Sequence, residues 1–189
     1  AAHGGHILAN VPTEAQAELL ASLEGVSESD LPVPQASVDV EVGNGTEPLL
    51  LVGISDRPRV NAPVRTAGTA SPSDGIVLER SFAAALGLEI GALLHPRGMG
   101  GEIALPVVGT AILPSQSRYP RSNPGIAWVS RPTLEQLQPD RDRWTWVQAL
   151  RLTDPASARD VADSVVRGAP AGTVYVQTWE DQRETALMD

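Results

Sequence analysis

His3 and His6 stand three residues apart in the opening AAHGGHILAN, a spacing that could hold a metal weakly through two ring nitrogens on one helical turn. Glycines flank both, so a harmless mobile tail is the plainer expectation. The third histidine, His95, is alone beside Pro96, and any Ser-His-Asp triad would have to be built on it. Asp140 and Asp142 bracket Arg141, whose charge opposes a cation between them, so a solvated turn is expected there. The glycines of GMGG (98–101) lack the Lys-Ser/Thr and the helix start of a phosphate loop, and read as a turn. Asn44-Gly45-Thr46 fits a glycosylation sequon, although Asn-Gly is already what a tight hairpin requires. No Gly-x-Ser-x-Gly, His-Glu-x-x-His or paired-carboxylate pattern is present. Cysteine is absent, which excludes disulfides and thiol nucleophiles. These residues predict a non-enzyme with no cofactor and no bound metal.

Two features could instead bind something. Trp144 and Trp146 lie two apart on one side of a strand, either as core or as an aromatic platform. The segment SQSRYPRSNPG (115–125) joins Arg118, Tyr119 and Arg121 in an otherwise acidic chain. It is either a partner-contacting loop or an exposed connection. The formal net charge of −9 argues against nucleic acid and against anionic lipid headgroups, both of which need clustered cations. All 14 basic residues are Arg, which with the many Ala, Gly and Pro suggests a GC-rich genome rather than an arginine code.

The elements that would position these residues are well punctuated. Thr13 and Gln16 make a capping box, Gly25 sits where a helix C-cap is expected, and Ala15, Leu19, Leu20 and Leu23 predict one buried stripe. ASVDVEV alternates as a half-buried strand, Asn44-Gly45 turns it, and PLLLVGI returns. RWTWVQALRL predicts another strand, followed by a helix capped by Asp154 with Pro155 at its first position. Its apolar face is Ala158, Val161, Ala162, Val165 and Val166, and TVYVQTW closes the unit. With a weak opening strand at Ile7-Leu8, a strand–helix–strand unit stands near each end. Between them strands shorten, and two brief helices are expected, from Ser81 to Leu86 and from Thr133 to Leu137. Ser81 is the N-cap candidate of the first, and Pro106 suggests an edge strand or a bulge. No apolar run reaches the ~18–20 residues of a membrane helix. The start lacks Met and a signal-peptide core, as expected of a fragment cut from a longer chain.

The order VLERSFAAALGLEIGALL, then IALPVVGTAILP, resembles the extracytoplasmic domain of MacB/FtsX-like permeases, the membrane subunits of one class of ABC transporter. VPTEAQAELLASLEGV is similar to the family's opening helix with Glu24 in place of proline. PLLLVGIS, AWVSRPTLEQL and VQTWEDQRE follow in family order. Ala92 departs from the family's usual Asp. The resemblance implies a domain anchored by membrane helices before and after it, with a cytoplasmic ATPase subunit, a second permease subunit and an exported substrate or outside partner.

The expectation is therefore an α+β chain. A ferredoxin-like, porter-type βαβ sandwich would be built from residues 1–66 and 139–189, with residues 67–138 as an inserted β-rich subdomain. Its role would be to pass ATP-driven motion to something outside the membrane. The alternative is a double-psi-barrel-like cofactor domain of an oxidoreductase, since Leu-Gly-Leu-x-x-Gly before a glycine turn also occurs there.

Overall fold

The computed structural model describes residues 5–43, 45–54, 59–113, 118–121 and 123–188. The chain opens with β1 (Ile7–Val11), α1 (Glu14–Ala21) and β2 (Val26–Ser29), then the hairpin of β3 (Val33–Val42) and β4 (Gly45–Ile54). The middle holds β5 (Val64–Gly68), β6 (Ile76–Glu79), α2 (Arg80–Ala85), β7 (Leu93–Leu94), β8 (Pro96–Gly98), β9 (Gly101–Glu102) and β10 (Leu105–Ile112). It ends with β11 (Gly125–Ser130), α3 (Arg131–Leu137), β12 (Thr145–Leu152), α4 (Ala158–Gly168), β13 (Tyr175–Thr178) and α5 (Trp179–Met188).

The result is a mixed α+β fold on one large sheet, ordered β13-β1-β12-β3-β4-β11-β6-β10-β5. β2 lies beside β12 in line with β3, so the end strands run β13-β1-β12-β2 with every pairing antiparallel. Among the described residues parallel pairing is confined to β4 with β11 and β6 with β10. The path runs open from β13 to β5, unlike the closed barrel of the alternative reading.

Alternation along the strands divides the interior in two. Ile7, Ala9, Val38, Leu49, Leu51 and Leu150 face one side, where Ala17 and Leu20 of α1, Phe82 of α2, Leu134 and Leu137 of α3 and Ala158 of α4 join them. Val52, Ile54, Val77, Ala111, Ile126 and Trp128 form a second cluster apart from the helices. β4 and β11 are therefore apolar on both sides, as their sequences LLLVGI and GIAWVS indicate.

Local code holds where the chain makes its own contacts. Thr13 caps α1, its hydroxyl accepting from the Gln16 amide at 3.3 Å, and Asp154 caps the 3-10 turn that leads into α4. The β3–β4 hairpin forms, but with Val42 opposite Gly45 the reversal comes one place earlier than an Asn44-Gly45 turn requires, and Gly45 pairs within β4; Asn44 lies outside the described residues.

Three local expectations are corrected, and a fourth, the bulge suggested at Pro106, is met just after that residue. Ala15, Leu19 and Leu23 are exposed, and α1 is buried through Ala17 and Leu20. The helix is apolar most of the way round, so its periodicity could not select the side that meets β12. The α1 C-cap is Ser22, not Gly25, which lies at φ +88° before β2. Pro106 sits where β10 pairs with two-residue β7, and the register shift comes just after it, between Val107 and Gly109. The cap of α2 is Glu79 rather than Ser81: the Phe82 amide donates to the Glu79 carboxylate at 2.9 Å. Because Glu79 ends the strand, its extended backbone suits the cap position. Glu79→Ala should cost about 1–2 kcal/mol in urea unfolding, clearly more than Ser81→Ala, reversing the order the sequence suggests.

Candidate functional site

The described part of the polar loop is built onto the N-terminus of α2. Ser81 donates its hydroxyl proton to Glu79, and the same oxygen accepts the Tyr119 amide at 2.8 Å. The Tyr119 ring meets Phe82 edge to face, with centroids 5.1 Å apart and planes at 89°. Its hydroxyl donates to Glu47 on β4 at 3.3 Å. Burial, and then the Glu47 charge, push the phenol pKa up, so it stays a neutral donor. Tyr119 is thus a half-buried anchor, while Arg118 and Arg121 on either side are exposed. Residues 115–117 and 122 of the same segment lie outside the described residues.

The other sequence-selected groups are dispersed. Trp144 and Trp146 are buried with ring centroids 5.8 Å apart, so they are core and not a platform. The Trp144 indole donates to the Gln138 carbonyl at 2.9 Å. His6 is no tail: its amide donates to the Leu150 carbonyl, and its Nδ1 accepts from the Leu152 amide at 2.9 Å, extending β1 along β12. Burial, then the Arg151 charge, lower its pKa and favour the neutral ring that this contact requires. His3 lies outside the described residues. His95 lies 3.3 Å from Glu102, which Arg97 also holds at 2.7 Å. The hydrogen bond from Arg97 holds the Glu102 carboxyl below its usual range. Asp140 accepts from the Asp142 amide, the solvated turn expected. Among the described residues no group of three or more His, Cys, Asp or Glu is placed to hold a metal. No helix there is long and apolar enough to cross a membrane.

One site escaped the sequence reading: a cleft of about 360 Å³ on the helix-free side of the sheet. Leu8, Val33, Val52, Val147 and Ala149 make its floor, with Asn10, Gln35 and Gln177 among them. Asp30 fixes one wall by accepting the Arg59 and Val60 amides, at 2.6 and 2.5 Å. The available signal was that ILANV and WVQALRL are apolar on both faces, which a strand with one solvated face would not be. Recognising a cleft also required knowing which strands adjoin, and these come from opposite ends of the chain.

The sequence matches no protein-family model and no curated protein. Solved structures do match over nearly the whole chain. The periplasmic region of MacB from Actinobacillus actinomycetemcomitans is similar with a TM-score of 0.54 and 9% identity, over 97% of this chain and 94% of that one. The extracellular domain of the noncanonic ABC-type transporter YknZ from Gram-positive bacteria is similar with a TM-score of 0.51 and 13% identity, over 91% of this chain and 100% of that one. At such identities the likeness speaks for architecture alone. The chain has the fold of these periplasmic and extracellular transporter domains.

Proposed function

We propose that the chain is the non-catalytic extracytoplasmic domain of an ABC-transporter permease, sited on the outer face of the cell membrane. ATP bound to a cytoplasmic ATPase subunit would move it against an exported substrate or outside partner. The observation that carries this reading is that one transporter-domain fold accounts for 97% of the chain. The end strands β13-β1-β12-β2, with α1 and α4 as crossovers, support a ferredoxin-like, porter-type half from residues 1–66 and 139–189. Residues 67–138 are then the inserted β-rich half.

A lever must not flex between its halves, and Arg131 is suited to brace them. From α3 it reaches Glu14 of α1 at 3.3 Å and Glu135 at 3.6 Å, and its guanidinium lies 5.3 Å from the centre of the Trp146 ring. Arg118, Tyr119 and Arg121 are the proposed contact with substrate or partner, mounted on α2 through Tyr119. A second permease subunit is the proposed neighbour, and the net charge of −9 leaves no role for nucleic acid.

The test uses the full-length permease with its ATPase, spin-labelled at exposed Leu19 in both permease copies. ATP should shift the distance between labels by several ångströms. An unchanged distance removes the lever, and saturable ATP binding by the 189-residue chain alone removes the non-catalytic reading.

A further inference from the structure

We infer that the cleft on the helix-free side of the sheet binds an extended peptide segment whose docked residues carry no charge. This goes beyond the transporter reading and does not rest on it.

Strand register places the polar groups on the floor. Gln177 of β13 faces Leu8, and Asn10 of β1 lies between Tyr175 and Val147. Val147 faces Val33 across β12 and β3, with Gln35 two residues beyond. Gln177, Asn10 and Gln35 therefore run on a diagonal over four strands. Strand spacing and rise put the successive separations at about 8 and about 12 Å, a span that about six extended residues would cover. Leu8, Ala149, Val147 and Val33 lie along this diagonal and offer apolar contact to alternate side chains of such a segment.

Within the sheet the backbone groups are taken up by the ladder, so side chains must supply the floor's hydrogen bonds. A carboxamide carries both a donor and an acceptor, matching the N–H and C=O of a peptide unit. No hydrogen bond joins the half-buried Asn10 or Gln35 amide to another described residue. Gln177 donates to the Tyr175 hydroxyl at 3.2 Å. Half-burying an amide without a partner costs stability, and an occupant that pairs with it recovers that cost. An acyl chain would fill the floor but leave the amides dry and unpaired.

Charge narrows the occupant further. Asp30 and Arg121 are the charged residues of the lining, and Asp30 is already committed to the Arg59 and Val60 amides and, at 3.5 Å, to the Arg59 guanidinium. The floor residues themselves, with Asn10, Gln35 and Gln177 among them, are uncharged, which suits a neutral segment lying over them.

The experiment titrates the 189-residue chain with an N-acetylated, C-amidated hexapeptide of alternating valine and serine, and separately with laurate, following backbone amide shifts. The peptide should shift residues 8–10, 33, 35 and 147–149 at up to millimolar concentration. Asn10→Leu and Gln35→Leu should each weaken it about tenfold, the worth of one hydrogen bond, with the melting temperature unchanged or raised. If Asn10→Leu does not fold, Gln35→Leu alone carries the comparison. Silence with the peptide, shifts elsewhere, unaltered binding by the leucine variants, or occupancy by laurate alone each overturns the assignment.

Discussion

Phe82→Ala should lower the unfolding free energy by about 3–5 kcal/mol, the loss expected when a fully buried aromatic is removed from a core that cannot collapse around the gap. Phe82 has no exposed surface. The space around it is set by glycine: a Cβ on Gly125 would stand 2.2 Å from the ring. β11 therefore passes directly against the ring, and neither strand nor helix can move in without breaking ladder bonds. Tyr119 leans on the same ring, so the variant should also release the 118–121 loop, seen as faster amide exchange at Tyr119. Tyr119→Phe keeps the ring contact and loses only the hydroxyl bond to Glu47, and should cost no more than about 1 kcal/mol. If amide exchange at Tyr119 is unchanged in Phe82→Ala, the proposed mounting of the loop on α2 fails.

Gly100→Ala should destabilise by about 3 kcal/mol, the upper part of the range for overpacking. The β8–β9 turn is pressed onto the end of α3, with the Gly100 amide donating to the Leu137 carbonyl at 2.9 Å. A Cβ on Gly100 would meet the Gln136 carbonyl oxygen at 1.9 Å, and one on Gly98 the Leu137 oxygen at 2.1 Å. Both obstacles are backbone, so no side chain can swing away. The hairpin must lift off the helix, and exchange should rise at residues 96–102 and at the α3 terminus together. Met99→Ser is the control, since Met99 is 59% exposed at the tip of the turn and should change stability by less than about 0.5 kcal/mol. Equal stability of Gly100→Ala and wild type would mean that the turn does not bear on α3.

Several elements were legible because their information is local. Thr13 and Gln16, the turn after Val42, and Asp154 followed by Pro155 act within a few residues, and each produced the expected start or reversal. Spacing left core and platform both open for the tryptophans; burial of Trp146 in β12 and of Trp144 just before it decided for core. Local code misled where several residues competed for one role: Glu79 and Ser81 both offer an oxygen near the α2 amides, and Ser81 instead serves both Glu79 and Tyr119.

The sequence by itself determined the α+β class, the two strand–helix–strand units, the hairpin and the resemblance to transporter extracytoplasmic domains. Periodicity, caps and turn residues are properties of short windows, and their order along the chain needs no folding to be read. Only the tertiary structure decided that β3 and β4 join the two ends of one sheet, which face of α1 is buried, and that Tyr119 is anchored while its arginine neighbours are exposed. It alone assembled Asn10, Gln35 and Gln177 on one floor. These outcomes depend on which distant strands pair and in what register. That choice is made by burial summed over the whole chain, a quantity no single segment contains.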